Sequence, residues 1–141
     1  MTTKELGNLG EKIACEYLVG KGFNILGRND RISFGEIDII ARKKSKFFAR
    51  SDKTIHFVEV KAIADNRGGF SRERDPVARW FPEQHVNYQK QRKLKNLAQI
   101  WLEKNQFSQN TPYQIDIIGI VINEQTKNAK LHYFTNAIED V

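Results

Sequence analysis

The sequence predicts an α/β domain, because the chain changes repeatedly between helical and extended patterns. Residues 6–18 and 86–105 carry apolar residues at the three- and four-residue spacing of an amphipathic helix. The runs 34–40 and 57–61 alternate apolar and polar residues, as strands do. The continuous apolar run 113–122 is typical of a buried strand.

Size and composition indicate a single domain spanning residues 1–141, with a core large enough to need no disulfides. No apolar run approaches the roughly 20 residues that span a bilayer, and the N-terminus lacks the apolar core of a secretory signal. The one cysteine, Cys15, permits no internal disulfide, which fits a reducing cytoplasm. We therefore expect a cytoplasmic protein without a membrane segment.

The net charge of +6 favours a polyanionic partner such as nucleic acid. The positive charge is concentrated on both sides of the alternating strands and is sparse near the C-terminus. Candidates for contacts with nucleic acid are Lys43, Lys44, Lys46, Arg67, Arg72, Arg74, Arg79, Arg92 and Lys93. Several of them belong to a long loop predicted over residues 64–85, together with three large aromatic residues. That mixture suits phosphates and stacked bases, although the aromatic residues are equally suited to fixing the loop on the core.

The first helix is predicted to end at Gly20 and Gly22. Glu11 lies at the border of its apolar face. Its carboxylate is therefore either at the edge of the core or, like most helix charges, in solvent.

Three extended segments follow the first helix. Residues 23–31 contain apolar residues and then Asn29 and Asp30, which suit a turn. The next two strands are predicted over residues 34–42 and 54–63.

The second half of the chain is predicted to contain a helix and two strands. Lys90 is aligned with the apolar stripe of the second helix, one turn before Leu94, so it points along the sheet toward a site or reaches water. The buried strand 113–122 contains Asp116, which needs a partner because burying an unpaired carboxylate is costly. A last strand is predicted over residues 129–134.

Two acidic residues lie two positions apart in the first alternating run. Glu36 and Asp38 therefore share one face of the strand, and Ile37 and Ile39 share the other. If this strand pairs with the next, three carboxylates and a lysine meet on one side of a small sheet. Such a cluster is unusual unless something binds there.

Asp38 and Glu59 suit Mg²⁺, which takes one or two protein carboxylates together with water and substrate oxygens. The carbonyl of Val60 is a candidate third ligand. Lys61 shares a face with Glu59 and is suited to holding an attacking water, whose pKa the metal lowers. The simpler alternative is that Lys61 forms a structural ion pair with Asp38 or Glu59, which contributes about 0.2–1 kcal/mol.

Other candidate chemistry is weaker. His56, His85 and His132 lack the spacing of zinc ligands. Cys15 has no base nearby and is expected to be a buried, inert thiol. The sequence contains no glycine-rich phosphate loop.

Five short motifs occur in the order typical of one protein family. They are Gly10-Glu11, Gly35-Glu36-Ile37-Asp38, Phe57-Val58-Glu59-Val60-Lys61, Lys90 with Leu94, and Ile115-Asp116-Ile117. The chain thereby resembles the YraN-type family of bacterial proteins, which is similar to archaeal Holliday-junction resolvases in the PD-(D/E)XK nuclease superfamily. The resemblance implies a restriction-endonuclease-like three-layer α/β/α fold with a central mixed sheet, in the order αβββαβ plus a short C-terminal strand.

The resemblance also implies an activity. The expected protein is an endonuclease that uses Mg²⁺ or Mn²⁺ to hydrolyse phosphodiester bonds in DNA, branched or structured DNA included, and that works as a homodimer. Two alternatives stay open. One is a nucleic-acid-binding module that retains the fold without cleaving, and the other is an interaction protein whose acidic cluster is a network of ion pairs.

The resemblance assigns roles to individual residues. Asp38 and Glu59 match the metal ligands, and Lys61 matches the catalytic lysine. Glu11 matches an acid of the first helix near the metal, and Lys90 matches an auxiliary basic residue of the second helix.

Two further residues of the motifs receive supporting roles. Glu36 is assigned to the surroundings of the ligands or to a second ion, and Asp116 to structural support. The chain departs from the family at Gln114, where relatives often have arginine, and its loops over 43–53 and 62–85 are longer than usual.

Overall fold

The computed structural model describes residues 1–44, 52–65 and 87–138. Within them, five strands form one mixed sheet and two helices pack against it. The elements are α1 (Thr3–Gly20), β1 (Phe23–Ile32), β2 (Gly35–Lys43), β3 (Ile55–Ala64), α2 (Tyr88–Lys104), β4 (Tyr113–Ile122) and β5 (Ala129–Phe134). This order confirms the α/β prediction, and the sheet is mixed as the resemblance implies. None of the helices in the described part of the chain is both long and apolar enough to cross a membrane.

The strands lie side by side in the order in which they occur in the chain. The pairs β1–β2, β2–β3 and β4–β5 are antiparallel. The pair β3–β4 is parallel, and α2 lies in the connection between these two strands. A parallel pair requires such a crossover, which explains why the second helix lies between them in the sequence.

The two helices cover opposite faces of the sheet. Leu18 of α1 belongs to a core cluster with Ile39 and Val58, whereas Leu97 and Trp101 of α2 belong to a cluster on the other face. The neighbours of Ile39 and Val58 in the two strands, Ile40 and Phe57, belong to the α2 cluster. The three layers therefore follow from alternation along β2 and β3.

Side chains at the helix termini explain where the helices begin. Thr2 caps α1 through the backbone N–H of Glu5, and the Glu5 carboxylate accepts in return from the Thr2 N–H, which forms a capping box. Asn87 caps α2 by accepting from the Lys90 N–H at 2.9 Å. The predicted start of α2 at residue 86 lies outside the described residues.

The turn predicted at Asn29 and Asp30 is wrong, because β1 continues through both residues and the hairpin turns at Ser33 and Phe34. Asn29 has a positive φ of 50° inside the strand, a conformation that asparagine adopts more readily than most residues. Asp30 accepts a hydrogen bond from Trp101 Nε1 at 2.9 Å. Asp30 therefore attaches the hairpin to α2, and neither residue turns the chain.

The simple alternation predicted for β2 is also wrong at its start. Ile37 belongs to the α2 cluster and Ile39 to the α1 cluster, although the two residues were expected to share a face. The ladder between β2 and β3 stops at the pair Ile39–Val58, and beyond it β2 leaves β3. The face therefore changes at Asp38, the residue at which the two strands separate.

Candidate functional site

The separation of β2 from β3 places the side chain of Asp38 between the two strands. Asp38 Oδ2 accepts the backbone N–H of Val60 at 2.8 Å, a donor that a regular ladder would give to a carbonyl. Both backbone groups of a strand residue point toward the same neighbour, so the Val60 carbonyl also lies on the Asp38 side of β3. The carboxylate is therefore held by the backbone of the strand that carries Glu59.

Asp38 and Glu59 form a close pair of carboxyl groups. The pKa of Asp38 is raised to about 7, chiefly by burial and then by the charge of Glu59 and a side-chain hydrogen bond with it. The hydrogen bond from Val60 acts in the opposite direction. The pair thus tends to keep one proton near neutral pH, as adjacent carboxyl groups do unless a cation is bound between them.

Lys90 of α2 is the ion-pair partner of Glu59. Its Nζ lies 2.7 Å from Glu59 Oε1, and Leu94, one turn later, is buried in the α2 core. Of the two orientations expected for Lys90, along the sheet toward a site or out to water, the ion pair shows the one toward the site, and the ammonium group ends on Glu59. Within residues 1–44, 52–65 and 87–138, Lys61 makes no ion pair with Asp38 or Glu59. The structural ion pair that was considered for Lys61 is instead formed by Lys90 with Glu59.

Lys61 lies two residues beyond Glu59 on β3, in register with Gly119 of β4. Its side chain is exposed. A solvated ammonium group on the same strand face as the Glu59 carboxylate can hold a water molecule. The position of Lys61 is therefore compatible with the predicted chemistry.

Glu11 and Glu36 occupy different surroundings. Glu11 is half-buried at the border of α1, and its charge contributes to the raised pKa of Asp38, so it lies at the edge of the site and not in bulk solvent. Glu36 is exposed and stands opposite Arg31 in the β1–β2 ladder. Glu36 does not contribute to the shifted pKa of Asp38, in contrast to the cluster of three strand carboxylates that alternation predicts.

Asp116 is fully buried and lies in a separate network of hydrogen bonds. It accepts hydrogen bonds from His56 Nδ1, Gln114 Nε2 and the Asn136 N–H, each at 2.7 Å, and another from the Tyr133 hydroxyl. Burial alone would raise the pKa of this carboxyl group, but the four hydrogen bonds together hold it below its usual value.

The Asp116 network lies on the α1 face of the sheet. His56 packs edge-on against Phe23, and Tyr133 packs in the same way against Tyr17 of α1. The hydrogen bonds of Asp116 join β3, β4 and β5 and reach neither Asp38 nor Glu59. Asp116 thus has the partner that its burial requires.

His56 and Tyr133 were not among the predicted partners of Asp116. A signal for His56 existed in the sequence, since it lies two residues before Val58 and therefore shares its face of β3. Val58 and Asp116 are paired in the parallel ladder. Tyr133 had no comparable signal, because its pairing depends on the register of β5.

The remaining predicted residues are distributed over the surface and the core. Lys43 and Lys44 at the end of β2 are exposed, as are Arg92 and Lys93 on α2. The other predicted nucleic-acid contacts lie outside the described residues; they are Lys46, Arg67, Arg72, Arg74 and Arg79. His85 also lies outside the described residues. Cys15 is buried as expected, and burial raises the pKa of its thiol, which disfavours the reactive thiolate.

The described residues offer few ligands besides the acidic pair. Among them, no group of three or more His, Cys, Asp or Glu side chains is arranged to hold a metal ion. To hold a metal ion, Asp38 and Glu59 would therefore need backbone and solvent oxygens as further ligands in its coordination shell. Such a shell is usual for Mg²⁺, whereas a structural zinc site would need four protein ligands.

Comparison with known proteins identifies the family. The family model described as "Uncharacterised protein family UPF0102" matches residues 10–120. A UPF0102 protein of Clostridioides difficile (strain 630) is 34% identical over 134 residues, which cover 95% of this chain and 100% of that protein. One of Thermodesulfovibrio yellowstonii is 36% identical over 137 residues, which cover 97% of this chain and 98% of that protein.

A third relative, from Dictyoglomus turgidum, is 34% identical over 137 residues, which cover 97% of this chain and 99% of that protein. These alignments extend over nearly the full length of each protein. The residues of the candidate site, from Glu11 to Lys90, all fall within the region that the family model matches. The chain therefore belongs to the UPF0102 family, the YraN-type family that its motifs resemble.

Proposed function

We propose that this protein is a metal-dependent endonuclease that hydrolyses phosphodiester bonds in DNA. The observation that carries the proposal is the contact between the carboxyl groups of Asp38 and Glu59, with Lys61 two residues farther along the same strand. Two carboxylates and an adjacent lysine are the minimum that such a hydrolysis needs.

Asp38, Glu59 and the Val60 carbonyl would hold Mg²⁺ or Mn²⁺. The donor set fits, because all three donors are oxygens and the paired carboxyl groups gain a cation in place of a shared proton. When bound, the ion supplies a lowered pKa for a coordinated water and stabilises negative charge on the phosphate.

The chain's own cations have distinct roles in this proposal. Lys61, exposed and not ion-paired within the described part of the chain, holds and orients the attacking water. Lys90 fixes Glu59 through the 2.7 Å ion pair. Glu11 adds negative charge beside Asp38 and so favours a cation at the pair.

Charge and family resemblance support DNA as the substrate. The net charge of +6 favours a polyanion, and Lys43, Lys44, Arg92 and Lys93 are exposed. The likeness of the YraN-type family to Holliday-junction resolvases favours branched or structured DNA and a cytoplasmic homodimer, whose existence analytical ultracentrifugation would test.

One observation favours a second candidate. The ion pair between Lys90 and Glu59 stabilises the acidic pair without any metal, as expected for a binding module that does not cleave or for an interaction protein. The two candidates differ in what the carboxylates do, so substitution of one carboxylate separates them.

The test is a strand-nicking assay on labelled duplex, flap and four-way-junction DNA, with Mg²⁺, with Mn²⁺ and with chelator. The wild type is compared with Asp38→Asn, which replaces one carboxyl group of the pair by a neutral amide, and with Glu36→Gln, which makes the same change outside the pair. We expect metal-dependent nicking that Asp38→Asn abolishes and Glu36→Gln retains. DNA binding without nicking of any substrate would favour the binding module, and neither metal nor DNA binding would favour the interaction protein.

A further inference from the structure

Gly10 of α1 is the point of closest approach between this helix and the sheet. A Cβ atom placed on Gly10 would lie 2.6 Å from the Cβ of Ala62 and 3.8 Å from Val60 Cγ1. Real Cβ contacts essentially never fall below 3.0 Å, so any side chain at this position requires α1 and β3 to move apart. Gly7, one turn earlier on the same helix, has no atom within 4 Å of the corresponding position.

The contact of Gly10 lies directly behind the candidate active site. Val60 and Ala62 alternate along β3 with Glu59 and Lys61, so they occupy the opposite face of the same short segment. The Val60 N–H also donates to Asp38. A displacement of this segment would therefore move Glu59 and Lys61 relative to Asp38 and disturb the hydrogen bond between Val60 and Asp38.

This part of β3 lacks the support that a central strand usually has. The ladder with β2 ends at Val58, whereas the ladder with β4 continues to Ala64. From Glu59 onward, the described contacts that position β3 are its ladder with β4, its packing against α1, the hydrogen bond from the Val60 N–H to Asp38 and the ion pair between Glu59 and Lys90. The contact with α1 at Gly10 therefore supports this segment where the ladder with β2 is missing.

We infer that Gly10 is a positioning residue for the site formed by Asp38, Glu59 and Lys61. Its missing side chain lets α1 pack closely on Val60 and Ala62, which fixes the distance between Glu59 and Asp38. The same contact places Glu11, the next residue of α1, beside Asp38. This inference rests on the proposed function for the chemistry of the site, but it predicts an effect on metal binding that does not depend on cleavage.

The experiment exchanges a methyl group across the contact. Gly10→Ala introduces the clash with Ala62, and the double variant Gly10→Ala/Ala62→Gly removes it. Gly7→Ala is the matched control, because it makes the same change in the same helix without meeting any atom. Leu18→Ala, at a fully buried position near the other end of α1, controls for general destabilisation.

The readouts are the Mn²⁺ dissociation constant by calorimetry and the thermal unfolding temperature. We expect Gly10→Ala to weaken Mn²⁺ binding about tenfold or more, as loss of a residue that orients metal ligands does. The double variant should return to within about threefold of the wild type, and both controls should retain wild-type affinity. Wild-type affinity in Gly10→Ala, or a folded double variant that does not recover, would overturn the inference.

Three further outcomes are decisive. If Gly10→Ala does not fold, Ala62→Gly alone loosens the same contact without a clash, and unchanged Mn²⁺ affinity in it would overturn the inference. If the wild type binds Mn²⁺ but cuts no DNA, the proposed nuclease fails while the role of Gly10 is still measured. If the wild type binds no Mn²⁺, both fail.

Discussion

Asp38 both lies at the point where β2 and β3 separate and contributes a carboxyl group to the candidate site. It interrupts the alternation of β2, takes the backbone N–H of Val60 and stands beside Glu59. Burial, together with the neighbouring charges of Glu59 and Glu11, raises its pKa to about 7. The raised pKa means that the fold disfavours ionisation of both carboxyl groups when no cation lies between them. A bound cation would therefore stabilise the ionised pair.

The raised pKa predicts how Asp38→Asn changes stability with pH. The folded state holds a proton on Asp38 up to about pH 7, whereas the unfolded chain releases it near the ordinary value of 3.8. The contribution of this group to stability is therefore fully present below the unfolded value and is lost as pH rises through the folded one. Asn keeps an acceptor for Val60 and carries no charge.

Without metal, Asp38→Asn should thus be more stable than the wild type at pH 8, by about 1–3 kcal/mol, and nearly equal to it at pH 4. Urea unfolding in chelator at both pH values measures the difference, with Glu36→Gln as the control that should show no pH-dependent gain. A gain that is the same at pH 4 and pH 8 would contradict the raised pKa.

At the residue scale, the sequence was sufficient for part of the site. Alternation correctly linked Asp38 with Glu59, and helical spacing correctly aimed Lys90 at the site. Glu36 failed to join them because β2 changes face at Asp38. No local pattern predicts that change, since it results from the packing of the hairpin on α2.

At the scale of elements, the Asp116 network joins three neighbouring strands on the face opposite α2. All four groups that contact the carboxylate are donors, so no neutral side chain replaces it well. Because the hydrogen bonds lower its pKa, the stability they contribute is present at neutral pH and is lost as pH falls through the lowered pKa.

Asp116→Asn should therefore destabilise the protein by about 3–5 kcal/mol, because its amide N–H groups would face donors and leave buried groups unpaired. Asp30→Asn, which alters a carboxylate with one described donor, should cost about 1 kcal/mol or less. Urea unfolding gives both values. A loss below about 1 kcal/mol in Asp116→Asn, or weakened Mn²⁺ binding in the folded variant, would contradict a purely structural role.

Elements were predictable where their patterns are long. The predicted spans of β4 and β5 coincide with the observed ones, since a continuous apolar run and a short alternating one leave little choice. The end of β1 was not predictable from turn-forming residues. Inside the strand, Asn29 and Asp30 keep features that are typical of turns. Asn29 has a positive φ, and Asp30 accepts a hydrogen bond from Trp101, on a helix about 70 residues away in the chain.

At the scale of the whole molecule, α1 and α2 cover the two faces of the sheet and meet the site from opposite sides. Glu11 approaches Asp38 from α1, and Lys90 reaches Glu59 from α2. The carboxylate pair lies where β2 and β3 separate, the one place among the described ladders where neighbouring strands part before both end. The sequence supplied the order of these elements, but this separation is a property of the assembled sheet.

The overall positive charge predicts a strong dependence of DNA binding on salt. Replacing Arg92 and Lys93 of α2 together by Gln should reduce the slope of log affinity against log salt by about 2, if each contacts one phosphate. Fluorescence anisotropy between 50 and 200 mM salt, conditions set by that dependence, measures the slope. As a control, replacing Lys12 and Lys127 together by Gln removes two positive charges elsewhere and should leave the slope unchanged. Equal slopes in both variants would contradict a DNA-binding surface on α2.

The most direct test of the central claim is the single-turnover rate of DNA cleavage by Lys61→Met at saturating Mg²⁺. Methionine retains most of the length of the lysine side chain and removes the ammonium group, while Asp38 and Glu59 are untouched. We expect Mn²⁺ and DNA affinities close to those of the wild type and a cleavage rate lower by about 10²–10⁴-fold. Cleavage at the wild-type rate would contradict the assignment of Lys61, Asp38 and Glu59 as a phosphodiester-cleaving site.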